Sequence, residues 1–146
     1  MKKFYITTPL YYVNDEPHIG HAYTTILADV INKYYKTMGY DTFFLTGTDE
    51  HGQKVEEAAK KNKIEPIDHV NRYVEQFKKA WNNLDIEYDF FIRTTDSKHK
   101  DVVRKVLNHL YDKGEIYKNE YEGLYSVSEE RFITEKEAEE GSFREI

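Results

Sequence analysis

The sequence contains no cysteine, which excludes disulfides and thiolate metal sites and is compatible with a reducing cytoplasm. It has no run near the roughly 18 apolar residues of a membrane-spanning helix, and no apolar signal-peptide core follows Lys2 and Lys3. Basic residues number 21 against 27 acidic ones, so the formal net charge is -6. This balance argues against a broad basic surface for nucleic acid, but not against local contact with an RNA end. We expect a soluble, cytoplasmic protein without a membrane partner.

Hydrophobic patterning predicts strands that alternate with helices. The β-branched and aromatic run at residues 3–8 predicts a buried strand, and residues 42–46 predict a second one. Between them lies an apolar helical face that Gly39 follows as a helix-ending residue; it consists of Tyr23, Ile26, Leu27, Val30, Ile31, Tyr34, Tyr35 and Met38. Strand, helix and strand at this spacing predict parallel strands with a right-handed crossover.

The next part of the chain predicts two helices, a strand and another helix. A polar helix should reach about Asn62, and Pro66 should open the second helix. The apolar face of that second helix consists of Ile67, Val70, Val74, Phe77, Trp81 and Leu84. Residues 89–94 predict a third strand, and Gly114 should close a helix whose apolar residues are Val102, Val103, Val106, Leu107, Leu110 and Tyr111.

The pattern changes near residue 116. Residues 117–132 alternate and turn at Gly123, which predicts short antiparallel strands outside the main sheet. Thr134 and Glu137 have capping-box spacing for a helix that Gly141 should end. The predicted fold class is therefore α/β, with half of a doubly wound parallel sheet at residues 1–115 and the start of an insertion at residues 116–146.

A first candidate site lies at the start of the long helix, where His18 and His21 flank Gly20. Ligands of parallel α/β sheets bind beyond the carboxyl ends of strands, where helix N-termini favour phosphate. Two imidazoles add donors around a polyphosphate, and a glycine lets a flat base approach the backbone. The same residues could form an ordinary helix cap, or two of the ligands of a metal ion.

Two more segments carry candidate residues. Residues 47–52 follow the second strand, and the carboxylates of Asp49 and Glu50 suit an ammonium group or a ribose hydroxyl. The alternative is a polar turn that caps the next helix. Residues 9–14 are apolar for a loop, so Leu10 and the tyrosines beside it should line a pocket or simply pack the loop.

Taken together, these segments resemble the class I methionyl-tRNA synthetases. The likeness runs through YITTPLYYVN at residues 5–14, PHIGHAY at 17–23 and FLTGTDEHG at 44–52. It continues through FIRTT at 91–95 and YEGLYS at 121–126, and so covers essentially the whole chain. The HIGH motif is shared with other class I synthetases and with nucleotidylyltransferases, whereas the flanking residues indicate methionine.

The resemblance implies the first half of a Rossmann-type (HUP) catalytic domain that activates methionine with ATP and Mg²⁺ and then charges tRNA(Met). His18 and His21 would be catalytic, and the ATP site would include His18, Gly20, His21, Gly47, Asp49 and Glu50. Leu10, Tyr12 and Asp49 would bind methionine. The whole HIGH region would be Tyr11, Tyr12, Val13, Asn14, Asp15, Glu16, Pro17, His18, Ile19, Gly20 and His21.

Two departures from the family pattern matter. Ser126 and Glu129 stand where many members carry a CxxC zinc pair, so we expect no zinc. A lysine loop of the KMSKS type, the other residues of the methionine pocket and an anticodon-binding domain are absent from the sequence. The expected partners are therefore the missing C-terminal half of the catalytic domain and, through the full-length enzyme, tRNA(Met).

Two rival interpretations remain open. A small nucleotidylyltransferase also uses HxGH at a helix start and would be complete near this length. A non-catalytic role is the other alternative, either as a subunit of a split enzyme or as a module that binds a partner through an open sheet edge.

Overall fold

The computed structural model describes residues 1–126 and 129–139. The predicted helix end at Gly141 lies outside these residues. Val127 and Ser128, which lie between the two positions compared with a CxxC zinc pair, are outside them as well. The chain forms two compact units, Met1–Arg104 and Lys105–Ile146. In the described part of the chain, no helix combines the length and the apolarity that crossing a membrane requires.

The first unit is built on a parallel sheet with a long central strand. Its strands are β1 (Lys3–Thr7), β2 (Tyr11–Tyr12), β3 (Asp41–Asp49) and β4 (Phe90–Arg93). On one side of β3 lie β1 and then β2, since Leu45 pairs with Thr7 and Thr48 pairs with Tyr11. On the other side the same two β3 residues pair with β4. The predicted parallel strand–helix–strand unit is thereby confirmed.

The helices begin and end close to the predicted residues. They are α1 (Ile19–Thr37), α2 (Gln53–Asn62), α3 (Pro66–Asn83) and α4 (Ser97–Asp112). Gly39 follows α1 with φ +78° and Gly114 follows α4 with φ +73°, a left-handed conformation that glycine adopts at low cost. Pro66 occupies the start of α3, where its missing N–H leaves no intrahelical bond unmade.

The core of the first unit lies between α3 and the sheet. The middle of the predicted α3 face is buried, and it packs with β-strand and loop residues in one cluster. That cluster includes Val70, Val74, Phe77, Trp81, Tyr11, Val13 and Phe44. The two ends of the predicted face, Ile67 and Leu84, are exposed.

The predicted apolar face of α1 is mostly exposed in this chain. Tyr23 is 72% exposed, and Leu27, Val30 and Tyr34 are exposed as well. The residues that α1 buries are instead small or polar: Thr25, Ala28, Asp29 and Asn32. Burial of the carboxylate is tolerated because Asp29 accepts from the backbone N–H of Glu87 at 3.0 Å and pairs with Lys33 at 2.8 Å. Periodicity showed which residues share a face, but not which face the rest of the unit covers.

The first strand is also less buried than predicted. Phe4 stacks on Tyr35 of α1 with ring centroids 3.8 Å apart, but Tyr5 on the other side of the strand is 59% exposed. Because β1 lies at a sheet edge and is packed on one face only, its exposure alternates from residue to residue. Phe43 and Phe90 are exposed as Tyr5 is.

Two predicted connections are partly strands. β3 continues to Asp49, so Gly47 and Thr48 lie in the sheet and not in a loop. Tyr11 and Tyr12, expected in an irregular connection, extend the line of β1 as β2. A β-carbon on Gly47 would lie 2.0 Å from the carbonyl oxygen of Ile92, so this glycine is what permits β3 and β4 to approach.

The second unit contains the predicted antiparallel strands. β5 (Leu124–Ser126) pairs with β6 (Arg131–Ile133), and α5 (Glu135–Glu139) follows. The prediction of a turn at Gly123 is wrong, because that glycine precedes β5 and the chain reverses between Ser126 and Arg131. The predicted capping box is confirmed: Thr134 N donates to Glu137 Oε2 at 2.8 Å, and Glu137 N donates to Thr134 Oγ1 at 3.3 Å.

Replacing Gly47 with alanine should destabilise the first unit by about 3 kcal/mol, because the new methyl group collides with strand backbone that cannot rotate away. The free energy of unfolding in urea can be followed by the fluorescence of Trp81, the single tryptophan of the chain. Gly123→Ala is the control, since its methyl group meets only side-chain atoms, at 3.3 Å and beyond. Equal unfolding midpoints for the two variants would contradict the packing role of Gly47.

Candidate active site

The candidate site lies where the parallel strands end and α1 begins. β2 links its two halves, because Tyr11 and Tyr12 pair in register with Thr48 and Asp49, while the ring of Tyr11 contacts His21 with centroids 4.8 Å apart. The histidine segment and the acidic strand end therefore lie at the same edge of the sheet. Parallel α/β sheets bind ligands at this edge.

His18 and His21 form a reciprocal cap at the N-terminus of α1. The backbone N–H of Gly20 donates to His18 Nδ1 at 3.1 Å, and the backbone N–H of His18 donates to His21 Nδ1 at 3.2 Å. The two rings stack with centroids 3.8 Å apart. The alternative interpretation of this motif as a helix cap, raised from the sequence, is thus confirmed: the two histidines do cap α1.

The cap also determines which nitrogen of each imidazole carries the proton when the ring is neutral. A ring nitrogen that accepts a hydrogen bond carries no proton, so each neutral ring keeps its proton on Nε2. Among residues 1–126 and 129–139, no group accepts a hydrogen bond from Nε2 of His18 or His21. Both Nε2–H groups are therefore free donors beside the positive end of a helix dipole, an arrangement suited to phosphate oxygens.

His21 is seated on a buried aromatic cluster. Its ring contacts Tyr11 and, with centroids 5.2 Å apart, Phe77. The Tyr11 hydroxyl and Thr25 Oγ1 are 2.8 Å apart, and Thr25 Oγ1 donates to the carbonyl of His21 at 2.8 Å. Burial, followed by the nearby His18, lowers the pKa of His21. His21 is consequently neutral near pH 7, as its acceptor role in the cap requires.

Gly20 has a geometric reason to lack a side chain. A β-carbon there would lie 3.0 Å from Cε1 of the His18 ring, tighter than ordinary contacts. A side chain at this position would require the His18 ring to shift by a few tenths of an ångström. Its predicted place under adenine stays a prediction.

The acidic strand end contains two carboxylates in different environments. Asp49 is half-buried; it accepts from Thr94 Oγ1 at 3.4 Å, and its second oxygen has no partner within the described ranges. The side chain of Glu50 is 0% exposed and accepts from Arg93 Nε at 2.7 Å, from Arg93 Nη2 at 3.0 Å, from Thr48 at 2.7 Å and from Thr95. Asp49 is thus available to a ligand, and Glu50 is occupied.

Glu50 is ionised despite its burial. Burial alone raises the pKa of its carboxyl, but the hydrogen bonds from Arg93, Thr95 and Thr48 outweigh burial and hold that pKa below its ordinary value. The structure gives Glu50 an ion-pair role and Gly47 a packing role beside β4. Their predicted contacts with ATP stay predictions.

Of the residues predicted to line the methionine pocket with Asp49, Tyr12 lies beside it in the sheet. Tyr12 is its register partner and is exposed, as is Leu10, whereas Tyr11 between them is only 6% exposed. Of the two interpretations given for residues 9–14, loop packing therefore describes Tyr11, whose side chain is buried. The rest of the predicted HIGH region is the buried Val13, followed by the exposed connection Asn14, Asp15 and Glu16 and the half-buried Pro17.

Sequence reasoning gave no role to three residues that hold the site. Thr25 and Thr94 make the hydrogen bonds described above, and the fully buried His69 of α3 donates from Nε2 to the carbonyl of Val13 at 3.1 Å. A usable signal existed for His69, since a polar residue beside Val70 interrupts an apolar helical stripe. None existed for the threonines, since Thr94 bonds residues 44 and 45 positions away and Thr25 bonds Tyr11, 14 positions away.

The described residues do not form a metal cluster of their own. Within residues 1–126 and 129–139, no three His, Cys, Asp or Glu side chains converge on a metal-sized space. Ser126, at the compared zinc-pair position, instead accepts from the backbone N–H of Glu129 at 3.4 Å. The absence of zinc stays a prediction.

Comparison with known proteins gives a consistent result. A family model described as tRNA synthetases class I (M) matches residues 4–141. The chain is 55% identical over 136 residues to a methionine–tRNA ligase of Fusobacterium nucleatum subsp. nucleatum, which is 93% of this chain and 21% of that protein. It is 50% identical over 133 residues to the methionine–tRNA ligase of Campylobacter jejuni subsp. jejuni, with coverages of 91% and 21%.

A solved structure agrees with these sequence matches. Mycobacterium tuberculosis methionyl-tRNA synthetase in complex with methionyl-adenylate superposes with a TM-score of 0.88 at 41% identity. The match covers 94% of this chain and 27% of that one. The chain spans about one-fifth of the length of the curated relatives it matches.

The seating of His21 predicts a pH-dependent stability. Because its native pKa lies below the 6.5 of an unperturbed histidine, the unfolded chain binds a proton more readily. The contribution of His21 should be complete above pH 6.5 and should be lost as the pH falls through the lowered native pKa. Unfolding free energies at pH 7.5 and 5.5 measure the loss.

The matched variants are His21→Gln and His109→Gln, the latter at an exposed position of α4. The drop in stability between the two pH values should shrink in His21→Gln and stay at its wild-type size in His109→Gln. If His21→Gln shows the full wild-type drop, the pKa of His21 is not the cause.

Proposed function

The chain belongs to the class I tRNA synthetases (M), and on that premise we propose that it is the first part of an ATP-dependent methionine–tRNA ligase. Its substrates are methionine and ATP, and the product, methionyl-adenylate, passes its aminoacyl group to tRNA(Met). The observation that carries the proposal is the shared edge at which two free Nε2–H donors and a half-buried carboxylate meet through β2. We place this activity in the cytoplasm.

Activation joins a carboxylate to a phosphate. The methionine carboxylate attacks the α-phosphorus of ATP, and negative charge grows on the departing pyrophosphate. His18 and His21 donate from Nε2 to phosphate oxygens and stabilise that charge, with the α1 dipole behind them. Gly20 lies under the adenine and Gly47 lies at the nucleotide site, whereas Glu50, whose carboxylate is bonded to Arg93, Thr48 and Thr95, supports the strand end beside that site. Positioning and electrostatics suffice, because no protein nucleophile is needed.

Methionine binds on the acidic side of the site. Asp49 holds its ammonium group, since the free carboxylate oxygen can accept a charge-assisted hydrogen bond. Leu10 and Tyr12, exposed beside it, face the methionine side chain. Amino-acid recognition then lies next to phosphate recognition, which the pairing of β2 with the end of β3 supports.

Mg²⁺ enters with the nucleotide in this proposal. Mg²⁺ in nucleotide sites is commonly held by substrate phosphates and one or two carboxylates. The lack of a convergent acidic cluster in residues 1–126 and 129–139 fits an ion held chiefly by ATP. When bound, it neutralises phosphate charge, while the residues of this chain orient the nucleotide.

Residues 1–115 form the first half of the catalytic domain, and residues 116–146 begin a zinc-free insertion. The remaining half is the partner that covers the open faces of this chain. Two observations support this: the first unit exposes apolar residues on α1 and on its sheet, and relatives are about five times as long. Contact with tRNA(Met) belongs mainly to that remainder, consistent with a formal net charge of -6 here. Family membership removes support for a small nucleotidylyltransferase.

The chain by itself should show little or no methionine-dependent ATP–pyrophosphate exchange, because no KMSKS-type lysine loop is among its residues. The exchange assay compares the chain with the full-length ligase that contains it, at equal molar concentration. Adding the separately produced remainder tests the split-subunit alternative. A rate for the chain near that of the full-length ligase would refute the assigned division of the domain.

His21→Ala in the full-length ligase should slow adenylate formation by about 10- to 1,000-fold, the loss expected for one transition-state donor. Single-turnover formation of methionyl-adenylate measures the step directly. His109→Ala is the control, since that exposed histidine lies on α4. Unchanged activation by His21→Ala would remove His21 from the mechanism.

A further inference from the structure

The most strongly bonded side chain at the candidate site is one that cannot reach a substrate. Glu50 is fully buried, and its two oxygens accept four hydrogen bonds, two of them from the fork of Arg93. A carboxylate with all its capacity used and no exposed surface is not free to bind ribose or ammonium. Its influence on a ligand must pass through the residues that it holds.

The Glu50–Arg93 pair ties the ends of two neighbouring strands together. Glu50 directly follows the last residue of β3, and Arg93 is the last residue of β4. Arg93 Nη2 also donates to Asn71 Oδ1 of α3 at 2.7 Å. Three elements, β3, β4 and α3, therefore meet at one guanidinium whose planar geometry allows little freedom.

Asp49 lies inside this arrangement. The backbone N–H of Glu50 donates to Thr94 Oγ1 at 2.8 Å, and the hydroxyl of Thr94 donates to Asp49 Oδ1 at 3.4 Å. On the other side of Asp49, the carbonyl of Thr48 accepts from the backbone N–H of Thr94 at 3.3 Å. One carboxylate oxygen is thus oriented by Thr94, which leaves the other for a ligand.

We propose that Glu50 and Arg93 are positioning residues for methionine: without touching it, they hold Asp49, through Thr94 and the strand backbone, where its carboxylate meets the ammonium group. The inference rests on the proposed function and deepens it. Removing one partner of a buried pair leaves an uncompensated charge that the strand ends must move to solvate. A displacement of Asp49 by about 1 Å is enough to cost roughly 100-fold in a positioned reaction.

The test uses the full-length ligase with Glu50→Gln, Arg93→Lys and Thr94→Val. In exchange assays, KM for methionine should rise by roughly 10- to 100-fold, while KM for ATP should stay within about twofold because the histidine cap is untouched. Thr94→Val removes the link and leaves the ion pair in place, so it tests the route even if Glu50→Gln fails to fold. Glu75→Gln, at an exposed ion pair with Lys78, is the matched control.

Two readouts separate positioning from general damage. The affinity ratio of methionine to its analogue without the amino group should fall in Glu50→Gln, because the analogue never used Asp49. In an Asp49→Asn background, Glu50→Gln should add little further loss, since both changes act on one contact. Equal losses for methionine, analogue and ATP, or additive losses in the double variant, would overturn the inference.

The proposed function is checked in the same assay. A wild-type ligase without methionine-dependent exchange would overturn that function and this inference with it. An active wild type whose methionine KM is unchanged in all three variants would overturn the inference alone.

Discussion

The position of one buried tyrosine is the constraint on which the candidate site depends. Tyr11 pairs its backbone with Thr48 of the central strand, packs its ring on Phe77 and His21, and shares a hydrogen bond with Thr25. The strand end, the start of α1 and the core helix α3 therefore meet at a single side chain. Because its ring is almost fully enclosed, a shift of any one element must be transmitted to the others.

The electrostatics of the site come from local groups and not from net charge. Although the formal net charge of the chain is -6, its candidate phosphate site consists of two imidazole rings at a helix N-terminus. Each imidazole accepts a backbone N–H at Nδ1, which is also why the two rings cap the helix. The cap uses only the Nδ1 atoms of the two rings, so the helix-cap interpretation of HxGH does not exclude the ligand interpretation.

The two carboxylates of the strand end illustrate how burial divides roles between neighbours. Asp49 keeps one oxygen without a partner in the described residues, whereas both oxygens of Glu50 accept hydrogen bonds from Arg93 and two threonines. The same alternation makes Tyr11 a core residue and Tyr12 an exposed one. At the end of β3, Asp49 thus keeps an oxygen open to a ligand, while the next residue, Glu50, is bonded within the chain.

The sequence alone determined the local elements: the parallel strand–helix–strand unit, the helix ends at Gly39 and Gly114, and the cap of α5. These depend on contacts within a few residues, which periodicity and cap chemistry express. The sequence patterns also brought the histidines and Asp49 to one sheet edge, because the ends of parallel strands must coincide.

Only the tertiary structure decided which face of α1 is buried, that β1 is half-exposed, and that Glu50 is bonded internally. Glu50 and Arg93 are 43 residues apart in the chain. Their pairing depends on how two strands and a helix pack, which no local pattern encodes. Burial is a property of what surrounds a residue, and the surroundings of these residues come from distant parts of the chain.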